Sequence, residues 1–231
     1  MMIQTQRILS IPVTEPPVCD LTSQLRRPGG TMTLRPLQST SLAVARWARG
    51  LFAVGKVGSG KSLIAHLAPV ALDCKVGIVF TTSNTVKPLY DRFLKETQPN
   101  FYTEPIRVMS YDVLSSEGST DLLNRFADNY GDSMVIVCDE AHKLRSLEAA
   151  RTLRVARFLN EHPNVPFIAL TGTFTKDSFA DFAHLAYWSL RDRSPVPIPH
   201  DKAELEAWSA VCDADTSPNN WQKGVFAPVV H

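Results

Sequence analysis

Short apolar runs alternate with segments of helical periodicity along most of this chain. Leu51–Val54, Val76–Phe80, Ile106–Met109, Met134–Cys138 and Pro166–Leu170 are almost unbroken in apolar residues. Strands that read this way, without a polar residue at every second position, are covered on both faces. Between the runs, Gln38–Arg49, Ser62–Ala71, Val86–Glu96, Leu122–Tyr130, Leu144–Asn160 and Ser178–Leu190 carry the spacing of helices with one buried side. Strand and helix in alternation predict an α/β fold, a parallel sheet with helices on both faces.

The flanks read differently. Residues 1–30 hold Pro12, Pro16, Pro17, Pro28, Gly29 and Gly30 with no sustained periodicity, which predicts a loosely attached arm. Past Arg191–Arg193 the proline-rich stretch Ser194–His200 predicts a stiff, extended linker. One more helix is expected over Lys202–Ala214, and the tail Thr216–His231 has no legible pattern. The organisation expected is therefore an arm over 1–30, one α/β domain over 31–193, and a linker, short helix and tail over 194–231.

Composition narrows the function classes. At 231 residues and 44% hydrophobic, the chain can bury a full core and is not a disordered segment. A net charge of +1 rules out a global basic field, so any nucleic-acid contact must use a local patch or backbone amides. Cys19, Cys74, Cys138 and Cys212 are scattered with no CxxC pair, the pattern of reduced thiols in a cytoplasmic protein. The first apolar run is too short and too broken by proline for a signal or a membrane span.

The chemistry is concentrated in two places. Gly55-Lys56-Val57-Gly58-Ser59-Gly60-Lys61-Ser62 follows a strand, opens a helix and fits GxxxxGK[ST], a pattern that chance supplies roughly once in a hundred chains this size. Gly55, Val57, Gly58, Ser59 and Gly60 let backbone N–H groups wrap a phosphate, at the positive end of the helix that follows. Lys61 is placed to reach the β- and γ-phosphates and Ser62 to ligate Mg²⁺, which makes ATP and Mg²⁺ the expected cofactors. The run Met134–Cys138 ends in Asp139-Glu140-Ala141-His142. Asp139 suits the Mg²⁺ and Glu140 suits a water that attacks the terminal phosphate. Alone, an acidic pair is as often a solvated strand end. Beside the phosphate loop it points to hydrolysis, because transfer to a small molecule does not call for it.

With Asp139–His142 quoted, the chain resembles the DEAH/Swi-Snf-like branch of superfamily-two helicases, in the compact form carried by bacteriophages, over roughly Leu34 to Phe174. The resemblance implies a RecA-like P-loop NTPase domain and assigns further roles. Arg35 and Gln38, in Leu34-Arg35-Pro36-Leu37-Gln38, would sit against adenine, although a glutamine there can equally cap a helix. Thr81, Thr82 and Ser83 with Ser110 and Tyr111 would touch a sugar-phosphate backbone, DNA in preference to RNA, with Lys87 and Arg92 adding local charge. Those turns can also be plain Ser/Thr caps. Thr171, Gly172 and Thr173 would couple the ATP site to the nucleic-acid track, with His142 as relay. Phe174 stands where the family often has proline, which removes a rigid turn but no reacting group.

The resemblance also implies a second RecA-like domain that supplies an arginine finger, worth on the order of a thousandfold in rate. The stretch after Thr173 is too short for one, and Arg191 and Arg193 lie in no finger motif. The expected function is thus the ATP-binding half of a helicase or translocase motor, weakly hydrolytic until a second domain joins it, in a longer chain or from a separate one. The expected setting is the cytoplasm, of the host cell if phage-encoded, with no membrane partner. The alternative is a nucleotide-gated regulatory module that has lost motor activity.

Overall fold

Each apolar run becomes a strand because apolar surface on both sides needs cover from both sides, which a sheet between two helix layers offers most fully at its central positions. The computed structural model describes residue 6 and residues 9–10, 20–116, 121–172, 178–196 and 202–213. Its strands are β1 (Gly50–Val54), β2 (Val76–Thr81), β3 (Ile106–Ser110), β4 (Met134–Asp139) and β5 (Phe167–Thr171). They form one sheet in the order β1-β5-β4-β2-β3, with every neighbouring pair parallel. The helices are α1 (Thr22–Leu25), α2 (Pro36–Ala48), α3 (Lys61–Ala71), α4 (Ser83–Arg92), α5 (Leu122–Tyr130), α6 (Ala150–Glu161), α7 (Ala180–Leu190) and α8 (Lys202–Cys212).

Successive residues of one strand enter opposite cores. Val135 and Val137 of β4 join Leu42, Ile64 and Leu67 from α2 and α3 on one face. Met134, Ile136 and Cys138 join Leu123, Phe158 and Leu185 from α5, α6 and α7 on the other. Strands β2, β4 and β5 are buried along their whole length, and each large apolar side chain placed there contributes about 1.5–3 kcal/mol. Because all five strands are parallel, the loops that leave them gather at one edge, where open α/β sheets carry their sites.

Several boundaries differ from the sequence pattern, each for a local reason. Strands β2 to β5 run one residue further than their apolar runs, through Thr81, Ser110, Asp139 and Thr171. The backbone ladder takes no account of side-chain polarity. The helix expected from Leu144 begins only at Ala150, since Ala141–Leu144 closes into a 3₁₀ turn. The helix expected over Val86–Glu96 starts at Ser83 and widens into a π turn over Phe93–Thr97, followed by a last turn over Gln98–Asn100.

From Asp20 onward the arm is not loose. Leu21 is buried and its N–H donates to Ser39 Oγ at 2.6 Å, while Thr22 Oγ1 accepts the Leu34 N–H at 3.0 Å. Arg26 bridges Phe101. Side chain-to-backbone bonds hold this segment, and such bonds leave no periodicity in a sequence. At the other end, Phe179 stacks on Trp208 of α8 at 5.4 Å and its N–H donates to Asp213 at 2.7 Å. Most of residues 1–19, Thr173, positions 197–200 of the expected linker and the tail Thr216–His231 lie outside the described residues. Among the described residues, no helix is long and apolar enough to cross a membrane.

Two buried histidines give the fold an acid limit. His66 of α3 shares a 2.7 Å hydrogen bond with Thr97 Oγ1, and His184 of α7 has Nε2 2.8 Å from the Leu144 carbonyl. Burial pushes each imidazole down to about 4. In the unfolded chain both take a proton below about 6.5, whereas the folded chain refuses it until about 4. Stability is therefore lost as pH falls through that window, by roughly 2 kcal/mol per histidine between pH 7 and pH 5. Urea denaturation at pH 7, 6 and 5 should show this slope, and His184→Gln should lower it by about one proton.

Candidate active site

The phosphate loop is built by the strand before it and the helix after it. β1 delivers the chain at Val54, residues 55–60 form the loop, and α3 starts at Lys61 with its positive end toward the loop. Gly60 is at φ +89°, and a Cβ there would sit 2.0 Å from Gln38 Nε2, so only glycine fits. Lys61 Nζ donates to the Gly55 carbonyl at 2.7 Å and to the Lys56 carbonyl at 3.3 Å. The loop thereby holds its own lysine over the space it encloses.

The acidic pair faces this lysine. β5 lies between β1 and β4, so the loop and the acidic strand end are separated by two strand spacings, about 10 Å. Gly172 closes that interval. A Cβ on it would lie 3.4 Å from Lys61 Nζ, 3.6 Å from the Gly55 carbonyl oxygen and 3.9 Å from Glu140 Oε2. Lysine, glutamate and glycine therefore meet around one point. A cleft of about 700 Å³ opens there, and Gly58, Gly60, Lys61, Ser62, Asp139 and Glu140 all line it.

Asp139 is the buried member of the pair, 6% exposed. Thr81 Oγ1 donates to its Oδ2 at 3.2 Å, and the Tyr111 hydroxyl donates to its backbone carbonyl at 2.9 Å. Burial above all, then the neighbouring Glu140, raises this carboxyl above the usual range, against the pull of Thr81 and Lys61. A buried carboxylate of this kind favours a cation. Among the described residues, no three acidic, histidine or cysteine side chains group to hold one alone. A hydroxyl and a single carboxylate, Ser62 and Asp139, suit Mg²⁺, which keeps waters and takes its remaining ligands from phosphate.

Glu140 adopts left-handed backbone angles, φ 56° and ψ 49°. That conformation costs a non-glycine residue about 1–3 kcal/mol, and such strain collects at functional sites. It turns the chain sharply off β4 into the 3₁₀ turn, where the Lys143 N–H donates to the Glu140 carbonyl at 3.0 Å. His142 Nδ1 comes within 3.3 Å of Glu140 Oε2 without hydrogen-bond alignment. Burial lowers the imidazole's affinity for a proton, with Glu140 raising it and Lys143 and Arg145 lowering it further.

The other sequence-predicted residues divide. Thr81 and Tyr111, expected on a nucleic-acid track, are buried and bonded to Asp139, although Tyr111 still lines the groove beside Thr82 and Ser83. The ladder carries Thr81 into the sheet, and the Tyr111 ring stacks on Phe80 at 6.2 Å. Thr82 and Ser83 do reach the surface, beside a groove of about 170 Å³ that Asp112, Lys143 and Arg151 also line. The hydroxyls of Ser83 and Ser110 both bond to Asp112. Lys87 is paired with Asp91 at 2.5 Å, and Arg92, 3.7 Å from Glu96, lines the large cleft instead of this groove. Gln38 takes the capping role: its Oε1 accepts the Arg35 N–H at 2.8 Å, and its Nε2 donates to the Gly60 carbonyl at 3.3 Å. Arg35 Nη1 donates to the Gly58 carbonyl at 2.9 Å, so both residues brace the loop while still lining the cleft. Thr171 is buried, and its carbonyl accepts the Gly55 N–H at 2.9 Å. The sequence reading missed Lys143 and Arg151 in the groove and Thr31–Thr33 and Glu96 in the cleft, none of which belongs to a motif.

A family described as an AAA domain matches residues 46–174, more than half of the chain. The match takes in the phosphate loop, the acidic pair and Gly172, and leaves out Arg35 and Gln38. No curated protein matches the chain.

The raised Asp139 carboxyl sets up a trade between stability and binding. Ionised at neutral pH, it weakens the fold until a cation arrives. Asp139→Asn should therefore raise the Tm of the ligand-free protein by about one to a few degrees. It should also abolish the further rise that Mg²⁺ with nucleotide gives the parent, and differential scanning fluorimetry reads both effects.

Proposed function

This chain belongs to the AAA domain family of P-loop NTPases, and on that premise we propose that it is an ATP-hydrolysing motor domain of helicase or translocase type, completed by a second domain. The observation that carries this reading is the meeting of Lys61, Glu140 and Gly172 around one point at the carboxyl edge of the sheet. Lys61 exchanges its bonds to the Gly55 and Lys56 carbonyls for the terminal phosphates. Ser62 and Asp139 would hold the Mg²⁺, which would supply charge neutralisation. Glu140 orients a water and receives its proton as the water oxygen bonds to the γ-phosphorus and the bond to the ADP oxygen breaks. Gly172, without a side chain, leaves the space for that phosphoryl group.

The connection from chemistry to movement runs through β5. The Gly55 N–H is bonded to the Thr171 carbonyl, so a shift of the loop on hydrolysis is felt at the strand end beside Gly172. Of the cleft's two arginines, Arg35 is engaged by Gly58 and Arg92 by Glu96. The additional positive charge that fast turnover requires is therefore assigned to the second domain. The proposed polymer is a nucleic acid, DNA in preference to RNA, held through Thr82, Ser83 and Ser110 with Lys143 and Arg151 beside them.

A second reading has its own support. Two of the five residues expected to touch nucleic acid, Thr81 and Tyr111, instead brace Asp139. A domain that gates a protein contact by nucleotide state, without a polymer track, fits that observation. Turnover separates the two readings. In the motor, single-stranded DNA or a second domain raises ATP hydrolysis by at least about tenfold. Glu140→Gln then removes turnover while fluorescent ATP still binds, and Lys61→Ala removes binding. A basal rate that neither DNA nor a second domain changes rejects the motor.

A further inference from the structure

The chain is nearly neutral as a whole, yet its positive charge gathers in one stretch. From residue 143 to residue 157 it carries Lys143, Arg145, Arg151, Arg154 and Arg157 against the single acid Glu148, a net charge of +4 in a protein whose total is +1. Lys143 and Arg151 line the groove beside Thr82 and Ser83. Arg154 and Arg157 do not. With Ala150 and Leu153 they line a separate, shallow groove of about 410 Å³ on α6. Those four positions fall at i, i+3, i+4 and i+7, which is one face of a helix. The opposite side of α6 is already committed to the core through Thr152, Val155, Phe158 and Leu159. The helix therefore carries two organised faces, and the second one meets water.

Leu153 is the apolar centre of that second face, 54% exposed, with Arg154 beside it and Arg157 one turn further on. The face is held ready. Arg154 Nη1 donates to the Leu114 carbonyl in the turn after β3, and Thr152 Oγ1 donates to the Leu144 carbonyl at 3.3 Å. Anchoring of this kind lowers the ordering cost of a later contact. A nucleic-acid strand would find cations here but no aromatic ring in the lining on which to stack a base. An apolar centre flanked by arginines is instead the make-up of a protein interface, where arginine is enriched and the middle sheds water. We propose that this face of α6 docks an acidic amphipathic helix of a partner protein, whose apolar stripe covers Leu153 and whose carboxylates meet Arg154 and Arg157. None of these three residues lines the nucleotide cleft, so the proposal stands apart from the nucleotide reading.

The probe is a fluorescein-labelled synthetic peptide with leucine at helical spacing and glutamate and alanine elsewhere. Two control peptides replace its glutamates by lysine or its leucines by serine, and a single-stranded oligothymidylate of similar length is the fourth ligand. Fluorescence anisotropy with the full chain should give a Kd for the acidic peptide on the order of 10 µM at low salt, weakening several-fold in about 0.3 M salt. Leu153→Ser and Arg157→Glu should each weaken it by about tenfold. Both side chains are exposed, so each variant should melt within about two degrees of the parent. Each control peptide should bind at least about tenfold more weakly than the acidic one. The docking face is refuted if the acidic peptide does not bind at about 1 mM, or if either control peptide binds as well as it does. An oligothymidylate that binds more tightly, and is weakened by Arg157→Glu but not by Leu153→Ser, makes this face part of a polymer track and overturns the proposal.

Discussion

A carboxylate buried at the end of a central strand is unfavourable unless something compensates it, and the architecture around Asp139 is arranged about that need. Thr81 at the end of β2 gives it a hydroxyl, Tyr111 just past β3 fixes its backbone, and the Lys61 charge acts on it through space. Its pKa nevertheless stays raised. The domain therefore holds in reserve an electrostatic deficit that a metal-bound phosphate can fill, which ties ligand binding to stability.

The same strand ends serve structure and chemistry together. Parallel strands bring every carboxyl end to one edge, and four of the five strands end there in a polar residue: Thr81, Ser110, Asp139 and Thr171. Two of these support others and do not face a ligand. Thr81 braces Asp139, and the Thr171 carbonyl holds the first glycine of the phosphate loop. A residue type that suggests a surface contact can thus be taken up by the sheet's own need for partners, since a buried polar group without one is costly.

The N-terminal segment shows the same economy. Residues 20–35 have no amphipathic period, yet they fasten to α2, to the phosphate loop and to Asn100 through side-chain bonds to backbone groups. Thr31, Met32, Thr33 and Arg35 among them line the cleft even though they lie outside the part of the chain that carries the family match.

The sequence by itself determined the doubly covered parallel sheet, because continuous apolar runs have no other stable place. It also marked the phosphate loop and the acidic pair, since their spacing is local and each residue acts through its own type. Tertiary structure alone decided which polar residues face the cleft. Gln38 caps α2 and bonds Gly60 while it lines the cleft, and Thr81 and Tyr111 support Asp139 because the ladder and the core enclose them. Asn100 and Met32 came together from positions far apart in the chain. Such meetings depend on long-range packing, and no local pattern of residue types records them.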